Sequence, residues 1–104
     1  MTSSARVRVL VYYATGDAAP DAVTDAYSQV CEELRGTSGL LGSELLASTL
    51  DPGRFAVLSE WRSFDEFRRW EQGPVHKGQT AGLRGFRDDS NGRGYDIYQV
   101  IKTL

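Results

Sequence analysis

The stretch FAVLSEWRSFDEFRRW, residues 55–70, leaves this chain little freedom of local structure. FAVL is a short continuous apolar run, the pattern of a buried strand, and Trp61 closes it. Ser63 then stands three residues before Glu66, and Phe64, Phe67 and Trp70 follow at helical spacing. That is the signature of a capping box. The Ser63 hydroxyl is expected to satisfy an orphan amide of the first turn, and the Glu66 carboxylate to reach back to the amide of Ser63. Asp65 and Glu66 also suit the positive end of a helix dipole. The stretch therefore reads as a strand, a tight turn and an amphipathic helix.

The rest of the chain arranges itself around this unit. Residues 1–5 read as a loose start. Residues 6–14 form a first strand, with Val7, Val9, Val11 and Tyr13 on one face and Arg8, Leu10 and Tyr12 on the other. Asp21, or Asp17 before Pro20, can cap a helix whose apolar positions are Val23, Ala26, Tyr27, Val30, Cys31 and Leu34. Gly36 stops it, and residues 36–42 read as a loop. Residues 43–50 form a second strand, joined to the third by a turn at Asp51, Pro52, Gly53 and Arg54. Gly73 and Pro74 break the second helix, a short helical piece follows over 75–83, and residues 84–94 read as a polar, mobile loop. Residues 95–101 form the last strand.

The order is β-α-β-β-α-β, so the expected fold is one α+β domain over 1–104, with a ferredoxin-like protomer and a four-stranded antiparallel sheet. Its two helices can cover only one sheet face. Leu10, Tyr12, Leu46 and Tyr98 would leave the other too apolar to stay wet. A homodimer packing sheet to sheet is the economical solution.

Composition excludes several classes of function. The net charge is −2, with scattered basic residues, which does not suggest a nucleic-acid partner. The single cysteine, Cys31, rules out an internal disulfide and suits a reducing, cytoplasmic setting. No apolar run approaches membrane-spanning length. One histidine and one cysteine leave no donor set for a His- or Cys-based metal site, and the glycines lack dinucleotide-binding spacing. What stands out is aromatic content, 11% of the chain. Trp61, Phe67 and Trp70 cluster around one helix, and Tyr12 and Tyr13 end the neighbouring strand. Such a set can line a cleft for a flat ligand, or simply fill the core. His76 follows the Gly-Pro break and is the natural single general base.

The strand ending in Trp61, the run WRSFDEF at 61–67, and a helix leading into Pro74, Val75 and His76 resemble the antibiotic biosynthesis monooxygenase domain, a family of dimeric α+β barrels. The resemblance implies a monooxygenase that needs neither metal nor flavin and acts on a phenol, quinol or anthrone of polyketide type with O₂. The deprotonated substrate itself reduces O₂, while the protein supplies a dry aromatic pocket, a base and donors to the developing oxyanion. It implies His76, Trp61 and Tyr13 as catalytic residues and Tyr12, Phe67, Trp70 and Phe86 as the substrate-binding walls. Anthrone oxygenases can carry a proton-relaying Tyr where this chain has Phe67, which shifts weight onto His76 and the two tyrosines. The haem-degrading branch needs an axial His where this chain has Thr80, which argues against haem degradation. A polyketide cyclase or isomerase, and a non-catalytic binding barrel, stand as alternatives on the same fold.

Overall fold

The structure is a computed structural model that describes residues 5–19 and 21–104. It has four strands and two principal helices: β1 (Val7–Ala14), α1 (Ala22–Leu34), β2 (Leu40–Ala47), β3 (Arg54–Trp61), α2 (Phe64–Gln72), two single turns α3 (His76–Gln79) and α4 (Ala81–Arg84), and β4 (Tyr95–Gln99). The sheet runs β2-β3-β1-β4 and is antiparallel throughout. This is the expected ferredoxin-like α+β protomer. Residues 1–4 of the anticipated loose start, and Pro20, lie outside the described residues.

Register separates the two faces of the sheet. Val7 pairs with Trp61 and Gln99, Val9 with Ser59 and Ile97, and Tyr13 with Phe55, so the alternate residues between them turn to the far side. On the helix-covered face, Val7, Val9, Trp61 and Phe67 form one buried cluster. Tyr13, Val23, Val30 and Leu83 form another. The opposite face carries Leu10, Tyr12, Ala56, Leu58, Leu46 and Tyr98, interleaved with Arg8, Glu60, Glu44 and Asp96.

The Ser63 cap forms, with its hydroxyl accepting from the Glu66 amide at 3.2 Å. The return arm differs from expectation. The Glu66 carboxylate accepts from the Ser63 hydroxyl at 3.3 Å and from Arg62 at 3.1 Å, rather than from the Ser63 amide. Asp21 occupies the N-cap of α1 but makes no side-chain capping bond, because its backbone is already helical, at φ −88° and ψ 0°.

Three element boundaries move. Strand β2 starts at Leu40, not at residue 43, because Gly39 turns the chain through φ +85° and its carbonyl accepts from the Arg62 amide. The ladder then absorbs an irregularity between Leu40 and Gly42. The same strand ends at Ala47, not at residue 50, because the Ser48 hydroxyl accepts from the Leu50 and Asp51 amides and draws the chain into the hairpin turn. Strand β4 ends at Gln99, and Ile101 projects into solvent. The piece over 75–83 is two turns divided at Thr80, whose amide donates to the His76 carbonyl at 3.0 Å and closes the first of them.

The loop expected to be mobile is instead tied to β1. Ala14 donates to the Phe86 carbonyl, Asp88 to the Tyr12 carbonyl, and Tyr12 to the Gly94 carbonyl. Where β4 stops short, this loop takes over the pairing of β1's free edge.

Candidate active site

Between the helices and the covered sheet face lies a cavity of about 230 Å³. Its floor is sheet: Val9, Val11 and Tyr13 from β1, Ser43 from β2, Val57, Ser59 and Trp61 from β3, and Ile97 from β4. Its roof is helical: Val30 and Leu34 from α1, Phe67 and Trp70 from α2, His76 from α3 and Leu83 from α4. The lining is mostly apolar with a few polar groups, the usual character of a small-molecule site.

The capped helix α2 creates the aromatic wall. Phe67 and Trp70 are three residues apart and so share a face. They meet Trp61 at ring-centre distances of 5.4 and 5.2 Å, the first edge-on at 68°. Beyond Trp70 stands His76, edge-on at 5.0 Å and 67°. Gln79 fixes this corner: it accepts the Trp70 indole N–H at 2.7 Å and donates to the Glu33 carbonyl at 2.9 Å. One amide side chain thereby ties α1, α2 and α3 together around the histidine.

The His76 ring nitrogen Nδ1 is buried and has no hydrogen-bond partner among the described residues. A buried polar atom left unpaired costs about 1–3 kcal/mol, so one in a cavity wall points to a missing partner. The opposite wall holds hydroxyls. Ser43 and Ser59 are register partners across β2 and β3. Ser59 accepts the Trp61 indole N–H at 3.0 Å, which leaves its own proton free to donate. Ser43 shares a 2.8 Å bond with the Tyr27 hydroxyl. Burial pushes the Tyr27 phenol up, with the Cys31 thiol adding to the rise and the Ser43 bond opposing it. Burial also raises the Tyr13 phenol, against the pull of Arg87 and Arg84. Both tyrosines are therefore neutral donors at physiological pH.

Among the residues singled out from sequence, His76, Trp61, Tyr13, Phe67 and Trp70 come together on this cavity. Two do not. Tyr12 points to the other sheet face, where its hydroxyl donates to Asp96 at 2.8 Å, because neighbouring residues of a strand face opposite ways. Phe86 packs against the core cluster of Tyr13 and Leu83 without lining the cavity. Sequence reasoning missed Ser59, Ser43 and Arg87. Ser59 was within reach, since it lies two residues before Trp61 and must share its face. Arg87 was not, because its position depends on how the 85–94 loop docks onto β1.

Among the described residues, no three His, Cys, Asp or Glu side chains converge as a metal-binding group, and no helix is long and apolar enough to cross a membrane.

Comparison with known proteins places this architecture. The family model described as antibiotic biosynthesis monooxygenase matches residues 6–79. Protein SchA of Streptomyces halstedii is 25% identical over 92 residues, covering 88% of this chain. The match takes in only 24% of SchA, so the chain spans about a quarter of that relative. Among solved structures, SnoaB, a cofactor-independent oxygenase from Streptomyces nogalater, superposes with a TM-score of 0.76 at 16% identity, covering 96% of this chain and 97% of SnoaB. A conserved protein from Methanosarcina mazei gives a TM-score of 0.67 at 15% identity, covering 97% and 96% of the two chains. At these identities the structural likeness speaks for the fold.

Proposed function

The chain belongs to the antibiotic biosynthesis monooxygenase family, and from that premise we propose that it oxygenates an electron-rich aromatic, a phenol, quinol or anthrone of polyketide type, with O₂ and without metal or flavin. The observation that carries this reading is the unpartnered, buried Nδ1 of His76 on an aromatic wall. It is a base to which no described residue donates, beside the wall where a flat substrate would stack against Trp61, Phe67 and Trp70.

The chemistry follows from that placement. His76 takes the acidic proton of the substrate, and the resulting anion is stabilised by donors on the opposite wall. Ser59 is the best of these, because its oxygen is already occupied by the Trp61 N–H and its proton is therefore aimed elsewhere. Tyr13, kept neutral by burial, is a second. The dry apolar surroundings strengthen both interactions. The anion passes one electron to O₂, and the two radicals combine in a C–O bond to give a peroxide. For an anthrone CH₂, His76 returns its proton to the peroxide anion, then takes the second proton from the same carbon as the O–O bond breaks, which leaves a carbonyl and hydroxide. The hydroxide takes that proton from His76, so that one O₂ and one CH₂ yield one C=O and one water. Trp61 acts through Ser59 and through stacking, since its only N–H is already engaged.

The cavity volume lies below the ~300–1,000 Å³ usual for drug-sized ligands, which favours a compact aromatic. The reading includes a homodimer through the uncovered sheet face and a cytoplasmic setting, where Cys31 stays reduced. O₂ uptake against a panel of anthrones and hydroquinones, with chelator present and no flavin added, tests it. One O₂ consumed per substrate is expected, and no uptake across the panel would overturn it. Product formed equally well without O₂ would transfer the site to cyclisation or isomerisation.

A further inference from the structure

Resting on that reading of the cavity, we propose that Arg87 receives a carboxylate carried by the aromatic substrate, so that the substrate class is an aromatic acid rather than a neutral quinol or anthrone. Arg87 lines the cavity and is also solvent-exposed, which places it at the opening. Its backbone is fixed: it bridges to Tyr13 of β1, and its amide donates to the Arg84 carbonyl at 3.2 Å. Its guanidinium lies over Gly94, where a Cβ would stand 3.0 Å from Nη2.

Among the described residues this guanidinium has neither an ion pair nor a hydrogen bond, unlike the arginines around it. Arg54 pairs with Asp88 at 3.4 Å. Arg93 pairs with Asp96. Arg84 donates to the Lys77 carbonyl at 2.8 Å. Neither nearby acid neutralises Arg87. Glu71, on the cavity wall, is held by Arg68 at 3.4 Å, and Asp89, beside Gly94, makes no ion pair with Arg87. An unpaired guanidinium on a fixed backbone, beside an apolar cavity, is a fork for a planar carboxylate. An acid anchored here extends its ring along Val11 and Ile97 toward the tryptophan wall and His76.

Calorimetric binding of 2-naphthoate and of its neutral isostere 2-naphthamide tests the proposal without requiring turnover. The wild-type protein should bind the naphthoate at least about tenfold more tightly at low salt, as a charge-assisted bidentate contact implies. The preference should shrink as salt rises, because Arg87 stands at the opening. Arg87→Gln should erase the preference while leaving naphthamide affinity unchanged, which also shows that the cavity is intact, and Arg87→Lys should retain part of it. Equal binding of the two probes, binding of neither, or a preference that survives Arg87→Gln would each overturn it. O₂ uptake with hydroxylated naphthoates distinguishes the two readings. Preference without uptake sinks the oxygenase assignment alone, and uptake without preference sinks the aromatic-acid assignment alone.

Discussion

His76 is the side chain on which the chemistry depends, and its surroundings make its contribution separable. It touches Trp70 edge-on and lends Nδ1 to no bond, so removing it breaks no hydrogen bond made by that atom. His76→Ala should lower kcat by about 10²-fold or more, the usual worth of a positioned base, while leaving ligand affinity close to wild type. Steady-state O₂ uptake alongside calorimetry separates the two effects. Tyr12 calls for a different measurement. Its bond to Asp96 lifts the phenol above its ordinary value of 10.0, and that same bond is the first cause holding Asp96 below its ordinary 3.8. The lowered carboxylate contributes stability in full above 3.8, lost as pH falls through the folded value. The raised phenol contributes in full below 10.0, lost as pH rises through its folded value. Tyr12→Phe should therefore destabilise the protein between those limits and have less effect at either extreme. Its carboxylate at position 96 should titrate closer to the ordinary range by NMR, and O₂ uptake should be unchanged because Tyr12 faces away from the cavity. A flat difference in stability across pH would refute the linkage.

Helix α2 shows how far local sequence carries and where it stops. Ser63, Glu66 and the Phe67–Trp70 stripe were all legible, because capping and periodicity are short-range properties. Ser63→Ala should cost about 1 kcal/mol, a fall in Tm of roughly 5 °C for a domain of this size, and Ser63→Asp should restore most of it. Thermal unfolding followed by circular dichroism checks both. The reciprocal arm was not legible, since Arg62 competes for the Glu66 carboxylate at a distance set by the turn. Nor was the start of β2. Leu40 and Leu41 sit among glycines, and local chemistry reads them as loop. They become strand because Gly39 can take φ +85° and because the edge of β3 offers Leu40 a partner in Trp61. At Gly39 an added Cβ would stand 2.6 Å from the Glu66 Cβ, so this glycine also sets how closely the chain approaches the capped helix. The same limit hid Arg87 and misplaced Tyr12 and Phe86. Strand parity settles which of Tyr12 and Tyr13 faces the helices only once the covered face is known. The loop's docking on β1 is a long-range event that no window of sequence contains.

Taken as a whole, the molecule builds its cavity on one sheet face and leaves the other without a cover. The central strands β3 and β1 place Leu58 beside Leu10 there, flanked by Ala56, Tyr12 and Leu46, with Tyr98 58% exposed at the edge. Part of the charge on this face is paired within the protomer, since Glu60 receives both Arg6 and Arg8 and Asp96 receives Arg93. Such a patch is self-complementary under a two-fold axis, which sets leucine against leucine and demands no new charge pairing. A 104-residue chain also gains from burying it, because small domains hide only a modest share of their surface on folding. Light scattering should therefore give twice the protomer mass at micromolar concentration, with a Tm that rises as concentration is raised. Leu58→Glu, at the centre of the face, should give a monomer of lower Tm with an unaltered circular dichroism spectrum. Because the cavity lies on the opposite face of the sheet, that monomer should still bind 2-naphthamide with wild-type affinity. A wild-type protein that sediments as a monomer would remove the dimer. A monomeric variant that loses binding would show that the second copy shapes the cavity through the sheet.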